Sequence, residues 1–350
     1  MKSGVFRLNY LSKSIIALVT QLMAINLCYS DGNQYPLTKG GTVGSFSISP
    51  DGKSVIFDKT PHDPNLHLML LGNGQIKTIK PPLNRRWHMA RWSPDGNQVV
   101  ITSAGYKNEV YDLNDMQIAL VDISNGSIRT LTSGPGVKIT PFFSSNGADV
   151  FYFKGRVRQS GKTPAAWYDL YQINLASGSE QRLTNEEFYQ MIEGDSSPNS
   201  AQVVFAGVGA KRFPSTKVGD NFLFIYHLKE GYLEKKETGV LEARQPRYSK
   251  DGSIYFVGAE SQRGRFYFGV FKLPATQSLA SKVIDVVPNP IAFDLDRAGN
   301  AIYLNGRDSN HNGLEKIPLP SSQQKGVPKR GQVLKYQFYA RSINGTPAAY

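Results

Sequence analysis

Strands rather than helices are what the order of apolar and polar positions predicts. Short runs rich in Val, Ile, Phe and Tyr follow turn-forming residues, and one such phrase recurs six times along the chain. It reads "SISPDGKSVIF" from Ser47, "RWSPDGNQVVIT" from Arg91, "FFSSNGADVFYF" from Phe142, "SSPNSAQVVFA" from Ser196, "RYSKDGSIYFVG" from Arg247 and "DLDRAGNAIYLN" from Asp294. Aligned on Gly52, Gly96, Gly147, Ser200, Gly252 and Gly299, the copies stand 44, 51, 53, 52 and 47 residues apart. A repeat of that length with strand content is a propeller blade. Helical periodicity is almost absent, with room for one short turn in "TNEEFYQMI" (184–192).

The phrase has a mechanical reading. Pro fixes φ, Asp bonds nearby amides and Gly takes the positive φ that closes a hairpin. A third strand follows in each unit, as in "MQIALVDI" (116–123), "YDLYQINL" (168–175) and "NFLFIYHL" (221–228), and a polar fourth strand ends near Leu-Thr. Four strands in each of six units predict an all-β, six-bladed propeller of four-stranded antiparallel blades, since no blade can bury both faces alone. The ending also occurs early, in "YPLTKGG" (35–41), before any unit begins. This favours closure of the ring by an N-terminal strand, with "QVLKYQFYAR" (332–341) as the competing strand. The expected domains are a leader over 1–30, the propeller over 31–320, and a polar connector with a possible extra strand over 321–350.

The leader reading rests on Lys2, Arg7 and Lys13 ahead of the apolar "SIIALVTQLMAINL" (14–27) and a small residue at Ser30. Such a segment is a secretory signal, too short for a membrane anchor, so no stable span is expected once it is removed. Cys28 is the sole cysteine. Cleavage after Ser30 leaves a chain without disulfides; lipid modification of Cys28 is the rival fate, although Leu27 precedes it where a small residue is usual. The formal charge is +12, and the leader holds three of those charges. The remaining surplus favours acidic partners, and export argues against nucleic acid.

The "SPDG" turns, together with "LYQINLASGSEQRLT" (170–184), resemble the repeats of TolB-like propellers, also called WD40-like or PD40 repeats. The resemblance spans roughly residues 34 to 320 and implies the fold more strongly than any role. The family's namesake is a periplasmic protein that binds the peptidoglycan-associated lipoprotein and carries an α/β domain ahead of its propeller. No such domain is expected here, so the resemblance implies a stand-alone propeller. Related propellers gate prolyl oligopeptidases, but the chain has no Gly-x-Ser-x-Gly elbow.

Motifs that invite chemistry fail on spacing. "GRVRQSGKT" (155–163) has five residues between its glycines where a phosphate loop needs four, and joins two strands. "DSNHNG" (308–313) resembles a calcium loop but has Leu319 in place of the closing Glu. Blade geometry puts His62, His88 and His311 on one face, where similar oligogalacturonate lyases hold a metal; solvated loop histidines are the plainer reading. That face also carries Lys154, Arg156, Arg158 and Lys162, then Lys211, Arg212 and Lys217, then Arg263 and Arg265. Arg85, Arg86 and Trp87 in "NRRWH" (84–88) stand where an innermost strand begins, at the channel mouth.

These residues lead to an exported, periplasmic or secreted, non-enzymatic binding propeller without a cofactor. Its partner is a protein or an anionic envelope polymer met through the basic loop-rich face. The alternative is a metal-dependent lyase or hydrolase of acidic oligosaccharides, with a divalent metal on the three histidines and Arg86 on a sugar carboxylate. Oligomeric state is left open.

Overall fold

The computed structural model describes residues 42–60, 63–108, 110–160, 163–214, 221–262, 265–285, 290–297, 299, 301–306, 313–319 and 334–337. These residues form six four-stranded antiparallel sheets. Their innermost strands are Thr42–Ile48, Arg85–Trp92, Val137–Phe143, Gln190–Ser196, Glu242–Tyr248 and Pro290–Leu295. Each is followed by its three outer neighbours in chain order, so every blade is one contiguous unit. No described residue is helical. In the 184–192 segment Phe188 instead bridges Tyr168, bonding through both main-chain groups.

Apolar side chains from the two faces of each sheet make a closed circuit of cores between successive blades. Trp87, Val99 and Ile101 meet Ile56 and Leu66 between the first and second blades. The circuit returns to its start where Phe46, Ile48, Val55 and Phe57 of the first blade pack against Ala292, Ala301 and Leu314 of the sixth. Stacking of this kind removes both faces of every blade from water, which one blade cannot do for itself.

Ring closure corrects the expectation drawn from "YPLTKGG". The fourth place in the sixth blade belongs to Leu334–Gln337, which pairs with Gly313–Pro318 in the register Leu314 to Tyr336 and Glu315 to Lys335. The tail supplies a strand directly after the third one, so the last blade is built like the other five. Its join to the first blade is made by side chains. The "YPLTKGG" segment lies outside the described residues.

The repeated turn is held by a residue the sequence reading passed over. Ser49 Oγ donates to Asp51 at 2.7 Å and accepts the Ser54 amide at 2.9 Å. Ser93, Ser144 and Ser197 repeat the arrangement with Asp95, Asn146 and Asn199. The serine thus satisfies the second strand's first amide while orienting the turn carboxylate or amide, an economy available only to a short hydroxyl side chain. The Leu-Thr endings have a similar basis: Thr132 Oγ1 accepts the Ile118 amide at 2.9 Å, and Thr184 Oγ1 accepts that of Leu170 at 3.0 Å.

Candidate functional site

The innermost strands place side chains around the central channel, and a bulge interrupts each of them. At the bulge, Met89, Thr140, Glu193 and Gln245 occupy equivalent positions seven residues before the aligned turn residue, and all four have positive φ, at 55°, 48°, 29° and 52°. Non-glycine residues adopt this conformation at a cost, so its recurrence in four blades marks a built feature of the channel wall.

Below the bulge the channel is crossed by charges. Arg91 of the second blade lies 3.8 Å from both Glu193 and Asp195 of the fourth. Arg247 of the fifth blade pairs with Glu193 and, at 2.8 Å, with Asp294 of the sixth. Gln245 adds a 3.2 Å bond to Glu193. Burial pulls Arg247 down, but Glu193, Asp294 and Asp195 outweigh it and hold the guanidinium above its ordinary value. The result is an ionic floor near the end of the channel that carries the tight turns.

At the other end, the mouth is lined from the first two blades. Asp58 accepts the Ser45 hydroxyl at 2.6 Å, the Ser45 amide at 3.1 Å and the Met89 amide at 3.0 Å. Burial pushes its pKa up against these bonds and the charge of Arg86. Arg86 is itself buried, its guanidinium 5.3 Å from the ring of Tyr106 and 5.4 Å from that of Tyr111, and it donates to the Lys59 carbonyl at 2.8 Å. Strand alternation turns neighbouring Trp87 to the other side, into the core against the first blade, where it is fully buried. Trp87 is therefore a packing residue and not part of the mouth surface. Arg85 is partly exposed, paired with Asp115 and bonded to Ser103 Oγ at 3.1 Å.

His88 is 3% exposed, and neither ring nitrogen has a hydrogen-bond partner among the described residues. Its ring lies 5.4 Å from that of Tyr111. Burial, and then the charge of Arg86, push its pKa well below the usual imidazole value. His62 and His311 lie outside the described residues. Among those described, no three His, Cys, Asp or Glu side chains come together as metal ligands. No step is derived through a metal.

The basic face is less positive than its sequence. Lys154 lies 3.1 Å from Glu180, Lys211 lies 3.4 Å from Glu187, and Arg212 lies 2.6 Å from Glu186. Arg156 is exposed. Arg158 stands opposite Ala165, and Arg265 opposite Gln262, on paired hairpins. Lys162, Lys217 and Arg263 lie outside the described residues.

Geometry brings forward two groups that sequence did not. Lys138, alone among apolar neighbours in "VKITPFF", is fully buried and donates to the Gly134 and Met116 carbonyls at 2.7 and 3.1 Å. Burial, with the charge of Lys154 adding to it, brings its pKa down to about 8. The second is an aromatic patch. The long hairpin of the third blade pairs with its innermost strand only as far as Gly155, yet its own two strands stay paired out to Ser160 and Thr163. On this projecting ribbon Arg156 stands opposite Trp167, and the Trp167 ring meets that of Tyr189 edge-on at 6.0 Å.

No protein-family model and no curated protein matches the chain. Solved structures do. TolB from Acinetobacter baumannii is 16% identical with a TM-score of 0.57, over 92% of this chain and 72% of that one. A putative TolB from Agrobacterium tumefaciens is 18% identical with a TM-score of 0.54, over 70% and 82%. An oligogalacturonate lyase in complex with manganese is 14% identical with a TM-score of 0.55, over 78% and 73%. The fold is that of the TolB-like six-bladed propellers. One fold carries both a binding protein and an enzyme among these neighbours, so function has to be argued from the site.

Proposed function

We propose that the protein is an exported binding propeller, periplasmic or secreted, that engages a protein or an anionic envelope polymer on the face of its long hairpins. The observation that carries this reading is the projecting ribbon of the third blade, with Arg156, Trp167 and Tyr189 grouped on it. Arg, Trp and Tyr dominate recognition surfaces because each offers a large contact area at low entropic cost, and Arg adds a planar fork for carboxylates. Continuous pairing along the ribbon keeps the patch rigid before binding, which lowers the ordering cost. Likeness to TolB supports the binding role; the export reading rests on the basic and apolar leader.

The test is photo-crosslinking in cells from position 156, with Lys53 as the control, an exposed residue beside a tight turn on the opposite face. Discrete adducts from position 156, absent from position 53 and lost in Trp167→Ala, are expected. Equal adducts from both positions, or adducts only from position 53, sink the reading.

A further inference from the structure

The outer half of the first blade holds a second arrangement, unrelated to the channel. Its third strand, Leu66–Leu70, carries His67, and its fourth, Ile76–Ile79, carries Thr78 directly opposite. His67 Nε2 lies 2.8 Å from Asp63 Oδ2, and Nδ1 lies 3.3 Å from Thr78 Oγ1. Asp63 also accepts the Asn65 amide at 2.9 Å and its side-chain amide at 2.7 Å, which fixes the carboxylate. The imidazole is 5% exposed and stacks on Phe57 at 5.2 Å, so the ring cannot turn freely. Thr78 is exposed.

These contacts set the tautomer. A carboxylate accepts only, so the imidazole proton sits on Nε2 toward Asp63 and the Nδ1 lone pair faces the threonine hydroxyl. Carboxylate, imidazole and hydroxyl stand in the order that activates a nucleophile. The main chain contributes as well. The Leu70 amide bonds the Gln75 carbonyl at 2.9 Å, and alternation from that bond makes His67 and Thr78 a non-hydrogen-bonded pair. The Thr78 N–H therefore faces outward from the outermost strand, on the side where an oxyanion formed at its own hydroxyl would need a donor.

We infer that Thr78 is a covalent acylation site, its hydroxyl activated by His67 with Asp63 as the positioning residue, and that it accepts small acyl groups from activated esters or thioesters. In the step, Thr78 Oγ1 bonds to the acyl carbon while its proton passes to His67 Nδ1. The bond from that carbon to the leaving oxygen or sulfur breaks, and the leaving group departs with the electron pair and takes up the proton from His67. The products are O-acyl-Thr78 and the free alcohol or thiol.

The probe is p-nitrophenyl acetate on the whole folded chain, with acetylation mapped by mass spectrometry. Thr130, exposed on the outermost strand of the next blade and opposite Ala119, is the internal control. Thr78 is expected to acetylate at least tenfold faster than Thr130, and Thr78→Ser to keep the modification at position 78. His67→Gln is expected to lower the Thr78 rate at least tenfold with lysine acetylation unchanged, which separates loss of the base from loss of the fold. Asp63→Asn is expected to move the midpoint of the pH profile to lower pH, because a neighbouring carboxylate raises imidazole basicity. Equal rates at Thr78 and Thr130, or a Thr78 rate indifferent to His67→Gln, overturns the inference.

Discussion

Asp294 Oδ2 accepts the main-chain N–H of Ile48 at 2.9 Å, joining the last blade to the first across 246 positions of sequence. Its other oxygen holds Arg247 at 2.8 Å. One carboxylate thus fastens the ring and anchors the ionic floor.

Asp294→Ala is expected to destabilise the fold by about 3–5 kcal/mol, since it leaves a buried guanidinium without its partner. Equilibrium unfolding in urea measures this. Burial raises the Asp294 pKa, but Arg91, Arg247 and the Ile48 amide outweigh it, and the carboxyl titrates below its ordinary 3.8. A depressed folded pKa stabilises above the unfolded value, so this contribution is complete at neutral pH and is lost as pH falls below about 4.

His88 gives an opposite probe at milder pH. Its pKa is lowered from 6.5 by burial, so the unfolded chain binds a proton on acidification before the folded one does. Stability should fall below pH 6.5 with a slope approaching about 1.4 kcal/mol per pH unit from this group. Scanning calorimetry at pH 7 and pH 5 should show a smaller drop in Tm for His88→Gln than for the parent protein.

Gly155 is covered by Tyr168 from the neighbouring strand, and a Cβ there would lie 2.6 Å from the ring. Tyr168 is itself buried and has no room to retreat. Gly155→Ala is expected to cost about 1–3 kcal/mol by overpacking. It should also raise hydrogen exchange along the Arg156 ribbon, whereas Gly126→Ala, at a turn with open space around it, should leave exchange in that ribbon unchanged.

Thr140 holds a φ of 48° with a β-branched side chain. Left-handed backbone costs such a residue roughly 1–2 kcal/mol, which exceeds the entropy lost by a glycine there. Thr140→Gly is therefore expected to leave the protein as stable or up to about 1 kcal/mol more stable, although glycine within a strand ordinarily weakens it. Chemical denaturation decides the sign.

The blades were legible because their determinants are local. Gly52, Gly96 and Gly147 sit at the required positive φ, and the β-branched runs after them form the second strands. Trp87 and His88 were misjudged as surface groups because a strand start looks like a loop until the alternation of its neighbours is known. The floor was hidden for another reason. Arg91 and Glu193 are more than a hundred positions apart in the sequence, on blades two steps apart, and a pairing across a ring leaves no mark in either repeat copy. The signal that was present is the run of charged residues five positions before the aligned turn residue: Arg91, Asp195, Arg247 and Asp294. Closure by Leu334–Gln337 was missed because a matching Leu-Thr phrase outweighed nearness along the chain.

The cluster of Arg91, Glu193, Asp195, Arg247 and Asp294 turns a ring with two mouths into a vessel with one. Whatever enters between the long hairpins meets fixed, mutually satisfied charges before it reaches the tight turns, and it must leave by the path it took. Arrival and departure share a single gate. A change in the hairpins therefore alters both rates together, while the opposite face is free to meet a different neighbour without competing for the same space.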